Sequence, residues 1–250
     1  MAAGLRLAEL FFTKPEGEKL EDRAMALVAA RAEPAIRLQL ALSLSEIRTP
    51  AADEALRALV IAAGRQPYLA DAVVSGLTGG EARFVEALAN DPDAAGNSVD
   101  AVRFAASAVM KSGKAGDIEY TLAIAAADNT PEWARSAILA GVGHFLPKSP
   151  EGKVFAGTLP LEPKPLLALA ERKDTPAALV ARELLTNLNW PGKPGVAVTV
   201  ARPLTTSDEA LFELGKTQFA TLCAACHQPN GQGLPGLAPS LIYSRWPLGD

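Results

Sequence analysis

The sequence predicts an all-α protein, and the prediction rests on helical periodicity, frequent turn signals and a composition rich in small apolar residues. Hydrophobic residues make up 49% of the 250 residues, whereas aromatic residues make up only 6%. Apolar residues recur three and four positions apart, as in Val102, Ala105 and Val109, which is the period of one helix face. No strand-like alternation of useful length occurs between residues 17 and 189.

Length and charge limit the classes of function. A chain of 250 residues can bury a substantial core in one or two domains. The net charge is -4 with both signs interspersed, so there is no basic stripe to favour nucleic-acid binding. No apolar run reaches about 18 residues, so the sequence predicts no membrane span.

Turn signals divide the first three quarters of the chain into short helices with weak internal repetition. Pro34 and Pro67 are 33 residues apart, and the segment 34–37 recurs in character at residues 100–103 and 132–135. Arg37 and Arg103 are two such periods apart, and Arg135 follows after 32 more residues. A period in the thirties with two helices per unit is typical of an α-solenoid, in which neighbouring units share a core. An irregular helical bundle is the alternative.

Three segments follow from this interpretation. Residues 1–189 resemble HEAT repeats, although the spacing is short for that family. Residues 190–205 form a Pro/Gly-rich linker, because the prolines lack an N–H and cannot continue a helix. A new helix is expected at Thr206, with Glu209 completing a capping box, and it opens a second domain over residues 206–250.

The second domain contains the residues that carry chemistry, Cys223-Ala-Ala-Cys226-His227. Residues three apart on a helical turn project to one side, so two thiols can each form a thioether with one vinyl group of a haem. His227 follows directly and can supply an imidazole nitrogen to the iron, which makes it the metal ligand. The pattern is typical of covalent attachment of haem c.

Three other interpretations of the motif are open at this point. Zinc requires about four ligands, whereas the only other histidine is His144, some eighty residues away. A thioredoxin-like redox pair would require a βαβ setting, which the sequence does not predict. The third alternative is a chance occurrence of a five-residue pattern.

The residues around the motif resemble a class I cytochrome c domain. Gly215 and Phe219 match a glycine and an aromatic residue on the helix that precedes the haem motif in that family. Gly231, Gly233 and Gly236 match its glycine-rich loop. The resemblance implies an all-α domain with covalent haem c that transfers electrons.

The end of the loop adds two residues to the resemblance. Pro239 and Leu241 match the Pro-x-Leu element of the family, and Pro239 lies 12 residues after His227. In the family the proline carbonyl accepts the second ring N–H of the haem histidine, and the leucine packs against the macrocycle. The resemblance therefore implies that Cys223, Cys226, His227, Pro239 and Leu241 bind the cofactor.

One element of the family pattern is missing. Class I cytochromes c supply a distal methionine from a later segment, whereas the methionines here are Met1, Met25 and Met110. The sequence is therefore expected to hold only the N-terminal portion of a cytochrome c domain.

The order of repeats, linker and haem domain resembles exported planctomycete-type proteins, in which a β-propeller often precedes HEAT-like repeats. The resemblance implies a periplasmic or otherwise exported protein that exchanges electrons with a redox partner protein or domain. No signal sequence is present, so we expect a piece of a longer protein.

Two alternatives to this function are open. One is a HEAT-like interaction scaffold without a working haem site, and the other is the electron-exit portion of a propeller-type sugar or alcohol dehydrogenase. The sequence itself shows no catalytic constellation. His144 is expected to be a helix-end or half-buried residue.

Overall fold

The computed structural model describes residues 2–9, 22–24, 26, 33–47, 49–77, 79–148, 152–173, 175–196, 204–233, 238 and 241. Contacts divide the chain into two units, Met1–Ala197 and Val198–Asp250. The first unit contains ten helices among these residues: α1 Ala2–Glu9, α2 Pro34–Leu44, α3 Pro50–Ala63, α4 Leu69–Gly76, α5 Glu81–Ala89, α6 Val99–Ser112, α7 Ala115–Ala126, α8 Glu132–Phe145, α9 Lys164–Ala170 and α10 Pro176–Thr186. The prediction of a mostly helical protein is therefore confirmed.

The helices of the first unit alternate between two layers. One layer contains α2, α4, α6, α8 and α10, and each of these helices contacts the next one in the layer. The other layer contains α5, α7 and α9, which contact one another in the same order. Helices α2, α4, α6 and α8 begin at residues 34, 69, 99 and 132, so successive starts are 30 to 35 residues apart. The spacing matches the period of about 33 seen in the sequence.

Polar side chains join segments of the first unit that are separated by about one period of the sequence. Gln66 Nε2 donates to Pro34 O at 2.7 Å, 32 residues away. Asn97 Nδ2 donates to Ile61 O at 2.8 Å, 36 residues away. Ile61 lies in the last turn of α3, where carbonyls lack partners within their own helix, whereas Pro34 is the first residue of α2, so the bond from Gln66 ties a helix start to the following segment. Successive helix pairs are thus joined by hydrogen bonds as well as by the apolar core.

The core of the first unit consists mainly of leucine, valine and alanine side chains from both layers. Val102, Ala105, Ala106 and Val109 of α6 are all buried, as their spacing predicts. A Cβ on Gly141 of α8 would lie 2.5 Å from Arg103 O and 2.7 Å from Ala106 Cβ. Only glycine therefore allows α6 and α8 to approach as closely as they do.

The first unit also contains a short parallel pair of strands that the sequence did not predict. Strand β1, Gly157–Thr158, pairs with strand β2, Leu188–Asn189. Each strand has two residues, which is too short for an alternating pattern to be visible.

The beginning of the predicted linker packs on the first unit. Trp190 is buried in the core. Lys193 Nζ donates to Leu185 O at 2.8 Å and to Leu188 O, and it lies 4.8 Å from the centre of the Trp190 ring. Lys193 thereby provides donors for carbonyls where α10 ends. The division between the two units comes later, after Ala197.

The described residues of the second unit form helix α11, Thr206–Gln218, then a π-helical turn, Phe219–Cys223, and then helix α12, Ala224–His227. The capping box lies one residue earlier than the sequence pattern predicted. Thr205 Oγ1 accepts from Asp208 N at 3.2 Å, and Thr205 N donates to Asp208 Oδ2 at 3.1 Å. Hydrogen bonds to the carboxylate from the Thr205 backbone N–H and from the Thr205 hydroxyl lower the pKa of the Asp208 carboxyl. Glu209 is therefore not the capping residue, because Thr205 holds the extended N-cap conformation.

Within the ranges of the chain that the structure describes, no helix is long and apolar enough to cross a membrane.

Candidate functional site

The candidate site begins where α11 ends and the π-helical turn starts. The N–H of Ala224 donates to Phe219 O, five residues back, instead of to the carbonyl four residues back. One extra residue therefore enters the turn that delivers Cys223. Single π turns inside α-helices occur frequently at functional sites. The wider turn sets the direction of Cys223 relative to Cys226 on the short helix that follows.

Both cysteine thiols are available for chemistry. Cys223 and Cys226 are exposed and are not joined by a disulfide. The chain contains no other cysteine, so neither thiol has a competing disulfide partner within it. His227 is half-buried and ends α12. The structure thus brings three of the predicted site residues together on one helical turn.

These three residues do not form an ion cage. Among the described residues, no group of three or more His, Cys, Asp and Glu side chains is placed to hold a metal ion. Tetrahedral zinc requires about four donors that converge on one point. Thioether attachment has a different requirement, because the two sulfurs bond to separate vinyl groups.

A tight loop follows His227 and holds its backbone. Gly233 N donates to His227 O at 2.8 Å, and Gly231 N donates to Gln228 O at 3.0 Å. Gly231 and Gly233 have φ values of 73° and 72°, in the left-handed region that glycine adopts without a Cβ clash. Gln228 has φ 64° and ψ 157°, a combination that favours glycine strongly and stores strain in other residues. The strained residue lies directly after the proposed ligand.

The same loop is connected to Leu241. The N–H of Leu241 donates to Gly231 O at 2.8 Å, and the residue is half-buried. The loop is therefore closed over a stretch of ten residues by a backbone bond. Pro239 and Gly236 lie outside the described residues, so the predicted role of the Pro239 carbonyl stays a prediction.

Helix α11 and the π-helical turn present apolar side chains that nothing in the described residues of the second unit covers. Leu211, Phe212, Leu214 and Leu222 are between 54% and 74% exposed. A groove of about 530 Å³ runs beside the motif, lined mainly by Phe212, Gly215, Phe219, Ala220, Ala224 and Pro229. Apart from the adjoining backbone of its own helix, no described residue has a heavy atom within 4 Å of the position that a Gly215 Cβ would take. An apolar surface next to the two thiols is thus open to a large apolar group.

Lys216 is a residue of this groove that sequence reasoning missed. Its ammonium lies 5.4 Å from the centre of the Phe212 ring and 3.0 Å from Glu213 Oε1. Lys216 lies four residues after Phe212 and three residues after Glu213, and side chains at these two spacings are neighbours on a helix surface. The i, i+4 spacing was the signal that could have found it.

The donor set and the groove fit a covalently bound haem. Two exposed thiols supply sulfur, the adjacent imidazole supplies a nitrogen ligand for iron, and the apolar groove offers a surface for a flat macrocycle. His144 belongs to the other unit, where it lies exposed in the last turn of α8. This is close to the helix-end position that the sequence predicted.

Comparison with curated proteins and with solved structures finds no significant match to the chain. Comparison with protein families finds a match to part of the chain. The family model described as Cytochrome c matches residues 212–248, a stretch that contains the cysteine–histidine motif, the glycine loop and Leu241. That family implies a redox partner and a covalently bound haem, whose attachment pattern Cys223 and Cys226 fit. Residues 212–248 therefore carry the features of a cytochrome c domain.

Proposed function

We propose that the chain is a haem c-binding electron-transfer module on a helical-repeat scaffold, within a larger exported redox protein. The observation that carries the proposal is the Cys223–His227 turn, with both thiols exposed and an open apolar groove beside it. The haem would supply reversible single-electron transfer at iron when bound.

Each residue of the site has a separate task in this proposal. Cys223 and Cys226 hold the cofactor, because each thiol adds across one vinyl group and the addition consumes no oxidant. His227 supplies the imidazole nitrogen on the proximal side. The Gly233 N–H fixes the backbone of His227, which limits the directions in which the imidazole can point. Pro239 would orient the second ring nitrogen, and Leu241 would exclude water.

The first unit is proposed to be an α-solenoid of HEAT-like repeats. The helix starts at intervals of 30 to 35 residues, the two alternating layers and the hydrogen bonds across one period support it. Because each repeat contacts only its neighbours in such an array, the unit would be an extended, stiff support. Its role would be to hold the haem domain near a redox partner.

Export belongs to the proposal. Thioether formation requires both thiols to be reduced when haem is added, and the cell attaches haem c outside the bacterial cytoplasm. The sequence contains no cysteine other than the two of the motif, so an oxidising compartment would not produce competing disulfides with other segments of this chain. The planctomycete-type proteins that the sequence resembles are exported in this way.

The test is covalent haem itself. The full chain is expressed in a periplasm that contains haem-attachment machinery, purified, and denatured in acid and organic solvent. We expect one haem per chain to remain with the protein after denaturation, and the native protein to change its absorption spectrum reversibly on reduction. A chain that is colourless, while a known c-type cytochrome matures in the same cells, refutes the proposal.

Matched variants assign the residues. The double variant Cys223→Ser/Cys226→Ser is expected to retain no haem after denaturation. His227→Gln is expected to change the spectrum of the iron, whereas His144→Gln, which alters the only other histidine, is expected to leave it unchanged. If His144→Gln changes the spectrum as much as His227→Gln does, the assignment of the proximal ligand is wrong.

A further inference from the structure

A second pocket lies in the first unit, away from the cysteine–histidine motif. It has a volume of about 300 Å³ and is formed by α6, α8, α10 and the segment after α8. Its lining contains three basic residues, Arg103, His144 and Lys148, and one acidic residue, Glu183. A volume near 300 Å³ is at the small end of ligand sites, so only a small molecule would fit.

Two of the three basic side chains of this pocket, Arg103 and His144, contact the ring of Phe104. The Arg103 guanidinium carbon lies 4.6 Å from the centre of the Phe104 ring. The centre of the His144 imidazole lies 6.1 Å from the centre of the Phe104 ring, and the two ring planes make an angle of 59°. Phe104 thereby fixes both groups next to each other. Fixed donors lose less conformational entropy when a ligand binds than mobile donors do.

Arg103 has hydrogen-bonding capacity that the protein does not use. Its Nη2 donates to Asp100 Oδ1 at 2.8 Å, whereas its Nε is buried and finds no acceptor among the described residues. A guanidinium carries five N–H donors. A buried donor without an acceptor is rare in native proteins and calls for an explanation.

Positive charges lie near the imidazole of His144. Loss of hydration against its neighbours is the first cause that lowers the pKa of His144, and the charges of Lys111, Arg103 and Lys148 lower it further. Glu183 lies across the pocket on α10, and Asp100 is paired with Arg103. Two positive side chains, Arg103 and Lys148, thus line the pocket against one negative side chain, Glu183, and this balance favours a negative ligand.

We propose that this pocket binds a small organic oxyanion, a carboxylate or a phosphate ester, through Arg103, His144 and Lys148. The charged headgroup lies against these three side chains, since guanidinium and ammonium groups form their strongest hydrogen bonds with anionic oxygens. Val154, Leu184 and Ala140 also line the pocket and contact the apolar portion of the ligand. No step of the proposal depends on haem.

The test uses the full chain and the ring signals of its two histidines in nuclear magnetic resonance spectra. His144→Gln assigns the signal of His144. Benzoate and phenyl phosphate are added separately at constant ionic strength, and benzamide serves as the neutral control of the same shape. We expect at least one anion to shift the His144 signal to saturation and to raise the pKa of His144, while benzamide does neither. The anion that saturates identifies the headgroup.

Charge variants show whether the response comes from the pocket. Lys148→Gln alters an exposed side chain and is therefore expected to fold normally and to weaken binding about tenfold, the usual effect of removing one charged contact. Arg103→Gln is expected to do the same or more. Lys173→Gln removes an exposed charge that does not line the pocket, so binding is expected to stay within about twofold of the wild-type value.

Three results would overturn the proposal. One is the absence of a saturable shift at His144 with either anion. Another is an equal response to benzamide, which would indicate apolar binding without charge recognition. The third is an equal loss of binding in Lys148→Gln and Lys173→Gln, which would indicate a general effect of net charge.

Discussion

Arg135 offers the sharpest test of how the first unit is held together. The residue is 7% exposed, and its guanidinium covers the end of α7. One NH group donates to Ala125 O, and the other donates to Ala127 O at 2.9 Å and Thr130 O at 3.1 Å. The pair with Glu132 at 3.4 Å is largely solvated and contributes little. Arg135 is thus a donor for carbonyls in the last turn of α7 and in the turn that follows it.

The variant Arg135→Met keeps most of the side-chain volume and removes every donor. The Ala125 carbonyl then loses a buried bond to a charged group, which costs about 1–3 kcal/mol. Ala127 O keeps the N–H of Thr130 as a donor at 3.3 Å, so the two remaining losses together cost about 1 kcal/mol. We therefore expect the free energy of unfolding to fall by about 2–4 kcal/mol, measured by urea denaturation followed by circular dichroism.

The control is Arg37→Met, at the position that aligns with Arg135 in the repeat. Among the described residues the structure shows no side-chain hydrogen bond from Arg37, so this change is expected to cost less than about 0.5 kcal/mol. If both variants lose the same stability, the carbonyl bonds of Arg135 do not stabilise the end of α7 and the reasoning is wrong.

Three further predictions concern backbone space, backbone strain and pH. Gly141→Ala places a Cβ 2.5 Å from a backbone oxygen and is expected to cost about 1–3 kcal/mol in a urea titration; no cost would mean that α6 and α8 can separate freely. Gln228→Gly relieves the positive φ and is expected to slow amide exchange of the loop after His227 about fivefold, for a gain of about 1 kcal/mol; faster exchange would contradict the strain. The pKa of His144 is lowered on folding, so the unfolded state binds more protons and the wild type loses stability as pH falls below about 6.5. His144→Gln is expected to lose less over the same range, and parallel curves would refute the assignment.

The helical periods could be predicted from the sequence because one helix face repeats locally. Val102 and Val109 are buried as their spacing indicates, and the interval between Pro34 and Pro67 matches the interval between successive helices of one layer. Leu42 is a counterexample, because it shares the apolar spacing of its helix and is nevertheless 42% exposed. The period shows which face of a helix is apolar. Whether a residue at the border of that face, such as Leu42, is buried depends on how the neighbouring helices pack.

The chemistry of the candidate site could be predicted because it depends on residues that are adjacent in sequence. Cys223, Cys226 and His227 lie on one turn, so their proximity requires no knowledge of the fold. The pocket around Arg103, His144 and Lys148 could not be predicted, because the three residues come from segments that only the packing of α6 and α8 brings together. The strain at Gln228 was equally invisible, since the sequence contains no signal for a positive φ at a glutamine.

The stability of α11 leads to the last prediction. No residue of α11 is buried in the structure, and an isolated helix of 13 residues is marginal in water. The capping box at Thr205 contributes about 1 kcal/mol, and the Glu213–Lys216 pair contributes about 0.3 kcal/mol. Neither offsets the conformational entropy of ordering the helix.

If haem attaches at Cys223 and Cys226, it would cover some of the exposed apolar surface beside the motif and restrain the end of the helix. We therefore expect the amides of α11 to exchange at least tenfold more slowly in the haem-loaded chain than in Cys223→Ser/Cys226→Ser. The amides of α6, buried in the other unit, should exchange equally in both samples and serve as the internal control. Equal protection of α11 in the two samples would mean that the helix is stable on its own. In that case the apolar groove would not be a surface that haem completes.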